Sequence, residues 1–209
     1  MRYIAVVAGL LLVTPAVPAA DAESAWWWDD AWWSQGRLPQ PANVPVESRE
    51  TSYKAGDIDV PVTVIRPKDK RRYPGVLFVH GRRGWDDLVA LHATRLAARG
   101  FVVYAPDLYT GRFIPKFPIE HDYAVEDDLN AGLDAMLKLP DIQGRKVCAY
   151  SHTRGGYYTL KLAVAKGRQK DALACYVSYY PVWQDPNAPE PMQVYQYAPE
   201  INEFELPAL

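Results

Sequence analysis

From Glu50 onward, apolar and polar positions along the chain fall into a regular order. Residues 58–65 alternate and are rich in β-branched side chains, which predicts an early antiparallel strand with one covered face. Residues 75–79 and 101–105 are continuous apolar runs, the pattern of strands buried on both faces. Residues 146–150 and 172–180 read as two further buried strands. Between them the spacing turns helical. Leu88, Leu91, Leu96 and Ala97 predict a helix over 85–99 that stops at Gly100. Val125, Leu129, Leu133 and Leu137 line one face of a helix over 123–139, and a third helix is predicted over 155–167. Strands alternating with helices argue for an α/β fold, a doubly wound and mostly parallel sheet. Ligands of such sheets bind at the carboxyl ends of the strands. After Pro181 the chain is polar and proline-rich to Glu205. Leu206-Pro207-Ala208-Leu209 then reads as the first residues of another buried strand.

The first 49 residues follow different rules. Arg2, an uncharged apolar run over 3–13 and an Ala20-Asp21-Ala22 cleavage pattern make residues 1–22 a secretory signal, too short to span a bilayer. The expected setting is periplasmic or secreted, in a bacterium. Residues 23–49 hold five of the seven tryptophans, at positions 26, 27, 28, 32 and 33, followed by a Pro-rich link. They read as an N-terminal arm that lays its rings on the domain, the competing role being an exposed aromatic binding surface. Residues 50–209 form the domain proper.

Composition narrows the classes. A chain of 209 residues, 49% hydrophobic and 23% charged, can bury one core and is not disordered. A net charge of -2 excludes a nucleic-acid-binding footprint. No His, Asp or Glu pair has metal-ligand spacing on a common element, so no metal is expected. Export would permit a disulfide between Cys148 and Cys175. Both lie in strands expected to be parallel neighbours, where disulfide geometry is poor, so two buried free thiols are expected.

The chemistry concentrates in Tyr150-Ser151-His152-Thr153-Arg154-Gly155-Gly156, a strand, a sharp turn and a helix in succession. That is the layout of a nucleophile elbow, with Thr153 at the nucleophile position and Ser151 as the alternative in another register. His80-Gly81-Arg82 follows the first buried strand, where a turn can offer the Arg82 amide to a developing oxyanion. Arg154 offers a second amide at the elbow. His80, Arg83, Arg112 and His121 fall around the expected pocket. Arg82, Arg83, Arg112 and Arg154 together suggest a rim for an anionic substrate such as a carboxylate.

On these segments the chain resembles the dienelactone hydrolase family of α/β-hydrolases. The matching pieces are Tyr73-Pro74-Gly75-Val76-Leu77-Phe78-Val79, the run from Ala97 through Pro106-Asp107-Leu108-Tyr109, residues 127–137, Gly144-Arg145-Lys146-Val147, Arg154-Gly155-Gly156 and Tyr179-Tyr180. The resemblance covers roughly residues 55–183. It implies hydrolysis of an ester or lactone of a small molecule, through a Cys or Ser nucleophile, a His base and an Asp, without cofactor. This chain departs from the family pattern. Ser151 replaces the first glycine of the elbow, and Thr153 stands at the nucleophile. The acid and the His have no matching positions before Leu209, so the C-terminal strands and helix of the fold are expected to lie beyond it. The competing expectation is a non-catalytic binding protein on the same fold, for a small carboxylate or a protein partner.

Overall fold

The computed structural model describes residues 44–190, 192 and 196–209. The expected signal segment and tryptophan arm lie outside the described residues up to Val44. Six strands form one sheet in the order β1-β2-β4-β3-β5-β6. They are β1 (Val46–Ala55), β2 (Ile58–Pro67), β3 (Gly75–Val79), β4 (Val102–Pro106), β5 (Val147–His152) and β6 (Leu173–Tyr179). β1 and β2 form an antiparallel hairpin, β2 pairs antiparallel with β4, and the remaining neighbours are parallel. The helices are α1 (Asp87–Ala97), α2 (Ala124–Leu137), α3 (Gly155–Ala163) and the short α4 (Arg168–Asp171).

Apolar periodicity decides which face each helix covers. Every residue of β3 and β4 is buried, as expected of strands packed on both sides. Val89, Ala93 and Ala97 of α1 pack with Ile65, Val76, Phe78 and Val103 on one face. Val125, Leu129, Leu133 and Met136 of α2 and Tyr157 and Leu160 of α3 pack with Leu77, Val79 and Ala149 on the other. With helices on both faces, the sheet is the doubly wound α/β arrangement read from the sequence. The start of α1 is fixed locally by Asp86, whose carboxylate accepts from the Val89 N–H at 3.0 Å.

Three expectations change outright, and a fourth is met in its pairing although residues 207–209 are exposed rather than buried. The sheet begins at Val46 rather than in the domain from residue 50, because β1 is an edge strand whose first seven residues are partly or fully exposed and carry no apolar pattern. The helix predicted over 155–167 ends at Ala163, and Gly167, with a left-handed φ of 70°, separates it from α4. The stretch 206–209 does continue the sheet: Tyr176 N–H donates to Pro207 at 3.0 Å, Leu209 N–H to Tyr176 at 3.0 Å and Ser178 N–H to Leu209 at 2.9 Å, parallel to β6. Cys148 and Cys175 are not free thiols. They are register partners across β5 and β6, with Cα atoms 4.6 Å apart, and they form a disulfide.

Candidate active site

β5 runs into a tight turn at Thr153, and α3 starts two residues later. Thr153 has φ of 45° and an exposed side chain. A β-branched residue is strained in left-handed backbone, and such strain persists only where the surroundings over-determine it. Three bonds do so here. Thr153 N–H donates to Tyr179 at 3.0 Å, and the Thr153 carbonyl accepts from Gly156 N–H and Val182 N–H, each at 2.9 Å. The elbow is thus pinned to the end of β6 and to the chain that leaves it.

Two glycines make room for the turn. A Cβ on Gly155 would sit 2.8 Å from the carbonyl oxygens of Val79 and His80, so α3 can press onto the end of β3 only with glycine there. A Cβ on Gly81 would sit 2.1 Å from Thr153 Oγ1 and 2.9 Å from the His152 carbonyl oxygen. The loop after β3 therefore touches the elbow, and it carries Arg82. Among the described residues, neither the Arg82 nor the Arg154 amide donates to a protein acceptor. The Arg154 amide lies at the N-terminus of α3, where the helix dipole favours negative charge. The arrangement suits addition of Thr153 Oγ to a carbonyl, with the two amides as candidate donors to the resulting oxyanion.

The other sequence candidates find different employment. Ser151 is fully buried; its hydroxyl donates to Ser178 Oγ at 2.8 Å and lies 3.2 Å from Thr159 Oγ1. It packs beneath α3 and is no nucleophile. His80 is also fully buried: its Nδ1–H donates to the Gly81 carbonyl at 2.8 Å and its Nε2 accepts from Leu108 N–H at 3.1 Å. Burial holds its pKa below the usual range, so a neutral imidazole staples the ends of β3 and β4 rather than binding substrate.

Arg83 pairs with Asp86. Arg112 grips the buried Asp128, Nη2 to Oδ1 being 2.9 Å. The guanidinium groups of Arg82 and Arg154 bond to backbone carbonyls of the loop over 117–120. All four heads are engaged by the protein itself, so they do not form the open cationic rim expected from sequence for an anionic substrate.

His121 packs against the elbow helix and makes no hydrogen bond to Thr153. Its ring is buried against Tyr157 and Tyr158 of α3, and Nε2 lies 3.1 Å from Glu126 Oε1 on α2. His152 sits on the α1 side of the sheet among Phe78, Tyr150, Tyr179 and His92. Burial, and then the neighbouring His92, push its pKa down to about 4. Among the described residues the Thr153 hydroxyl has no hydrogen-bond partner. Sequence reasoning missed the side-chain role of Arg82 and Arg154, because nothing in the spacing of residues 117–120 marks their carbonyls as acceptors.

Beyond this geometry, the sequence pattern of the chlorophyllase family matches residues 31–209. The chain belongs to the chlorophyllase family. A chlorophyllase type 0 of Chenopodium album is 28% identical over 137 residues, 60% of this chain and 38% of that protein. The chain therefore spans about two-fifths of the length of that curated relative. Among solved structures, a dienelactone hydrolase-like promiscuous phosphotriesterase from metagenomic libraries aligns with TM-score 0.55 and 24% identity, over 66% of this chain and 60% of that one. A bacterial heroin esterase aligns with TM-score 0.55 and 20% identity, over 67% of this chain and 46% of that one. These likenesses place the chlorophyllase-family chain in the α/β-hydrolase fold, as the dienelactone hydrolase resemblance implied.

Proposed function

We propose that the protein is an ester hydrolase of the elbow type, acting on a carboxylic ester or lactone of a small molecule, with Thr153 as nucleophile. One observation carries the reading: an exposed threonine is held at φ 45° on the elbow tip, beside two amides with no protein acceptor among the described residues. In the proposed reaction Thr153 Oγ adds to the carbonyl carbon, and its proton passes through a base to the leaving alkoxide. The carbonyl oxygen gathers the negative charge between the Arg82 and Arg154 amides. Collapse expels the alcohol, and water then cleaves the acyl-threonine to release the acid. The base has no candidate among the described residues.

The second reading, a non-catalytic binding protein, draws on the Thr153 hydroxyl having no hydrogen-bond partner among the described residues. A fluorophosphonate probe separates the two in the folded, full-length protein. Adduct mapped to Thr153, and absent in Thr153→Ala, supports the hydrolase. An unlabelled protein supports the binder.

Export is part of the same proposal. The signal pattern over 1–22 suggests it, and the Cys148–Cys175 disulfide supports it, since such bonds persist in oxidising compartments. Protein recovered outside the cytoplasm with residues 1–22 removed is the expected finding. An intact leader on protein retained in the cytoplasm overturns it.

A further inference from the structure

The two amides assigned to the oxyanion belong to arginines, and both side chains run to the same short segment. Arg154, only 6% exposed, donates through Nη1 to the carbonyls of Pro118 at 3.0 Å and Glu120 at 3.1 Å, and through Nη2 to Ile119 at 2.8 Å. Arg82 donates through Nε to the same Pro118 carbonyl at 2.9 Å, and through Nη2 to Phe117 at 3.1 Å. The Phe117 N–H returns a bond to the Arg82 carbonyl at 2.7 Å. The Pro118 carbonyl is thus shared by the two guanidinium groups.

Each amide comes from a different strand end, Arg82 after β3 and Arg154 after β5. The contact of Gly81 with Thr153 brings the two loops together, but it acts on only one side of each. Oxyanion donors work only when both reach about 2.7–3.1 Å from the developing charge, and a misplacement of about 1 Å can cost roughly a hundredfold in rate. Arginine suits the task of holding them, because its planar fork donates in fixed directions and its charge strengthens each bond to a carbonyl.

We propose that residues 117–120 are the brace of the oxyanion hole, and that the Arg82 and Arg154 side chains are positioning groups that set the separation of their own backbone amides through the shared Pro118 carbonyl. The proposal rests on the ester-hydrolase reading. It assigns the loop after β4 the task of shaping the catalytic turn. The exposed side chains of Phe117 and Ile119 then flank the site as a consequence of how their carbonyls are held.

The test uses the full-length protein with p-nitrophenyl butyrate, in the variants Arg82→Met, Arg154→Met and Arg154→Lys. Arg72→Met is the comparison, since Arg72 also donates to a backbone carbonyl, that of Ile142, at the other end of β3. Arg82→Met and Arg154→Met should each lower kcat by tenfold or more with KM changed less than twofold. Arg154→Lys should recover only part of the loss, and Arg72→Met should leave kcat unaltered. A raised KM with kcat intact overturns the proposal, because residues 117–120 would then be a substrate wall. Unchanged kinetics overturn it as well.

Arg154 is buried and its variants risk misfolding, whereas Arg82 is exposed and its variant should fold. A second readout is the Arg154 backbone amide resonance in Arg82→Met, which should shift if the two amides are coupled through Pro118. An unmoved resonance overturns the brace. A wild-type protein with no turnover overturns the hydrolase reading instead, and the resonance still decides whether the amides are coupled.

Discussion

Replacing Thr153 with glycine should stabilise the fold while removing the proposed nucleophile. Thr153 holds φ at 45°, a conformation that costs an L-residue about 1–2 kcal/mol relative to right-handed backbone. Its side chain is exposed and has no hydrogen-bond partner among the described residues, so truncation forfeits little burial and no bond. Glycine adopts this φ without strain, but it brings an entropic cost of about 0.4–1 kcal/mol through the more flexible unfolded chain. The balance is a gain of up to about 1.6 kcal/mol, or up to about 6 °C in melting temperature for a domain of this size. The three backbone bonds at the elbow survive the change, because none uses the side chain. Thermal melts followed by circular dichroism, alongside fluorophosphonate labelling, give both halves of the answer. A melting temperature more than about 3 °C below wild type would refute the reasoning, since it would mean that the threonine side chain supports the turn. Stability gained together with labelling lost is the expected signature of strain kept for function.

Two further outcomes follow from the geometry. Reducing the Cys148–Cys175 disulfide, which closes a sequence separation of 27 residues, should destabilise the protein by about 3.5 kcal/mol on the loop-entropy estimate; a melt in dithiothreitol that shifts by less than about 2 °C would contradict it. Acid stability should depend on His152, whose pKa of about 4 in the fold lies below the unfolded value of about 6.5. The unfolded chain therefore takes up the proton first. The stability is complete above pH 6.5 and drains by roughly 3 kcal/mol as pH falls toward 4. Urea unfolding at stepped pH should show this loss in wild type and a flatter profile in His152→Gln; identical profiles would remove His152 from the account.

Much of the fold was legible because burial leaves a periodic trace. The runs at 75–79 and 101–105 point to strands covered on both faces and the stripe Val125, Leu129, Leu133 to a helix covering one of them, and the structure puts them there. β1 was illegible for the converse reason: the first seven residues of this edge strand are partly or fully exposed and carry no apolar alternation to read. The elbow was legible as a strand, a turn and two glycines, and its strain could be foreseen from a threonine at that position. The arginines were misread because a sequence shows their charge but not their partners. Arg82 and Arg154 are satisfied by carbonyl oxygens, which every residue carries, and Arg112 by Asp128, sixteen positions away on α2. The cysteines were misjudged from strand geometry in general; at this pair the register sets Cys148 directly opposite Cys175 with Cα atoms 4.6 Å apart.

That crosslink has a consequence for how the sheet keeps its alignment. Side chains on a strand alternate with a period of two, so a slip of one residue would send every side chain to the wrong face. If β6 slid by one position against β5, the Tyr179 carbonyl would leave the Thr153 amide, and Ser178 would leave Ser151. A covalent tie between residues that are already opposite each other forbids such slippage, as a dowel fixes two boards. The fidelity of the turn at Thr153 is thus guarded at the far end of β5, five residues before the elbow, by a bond that touches none of the reacting groups.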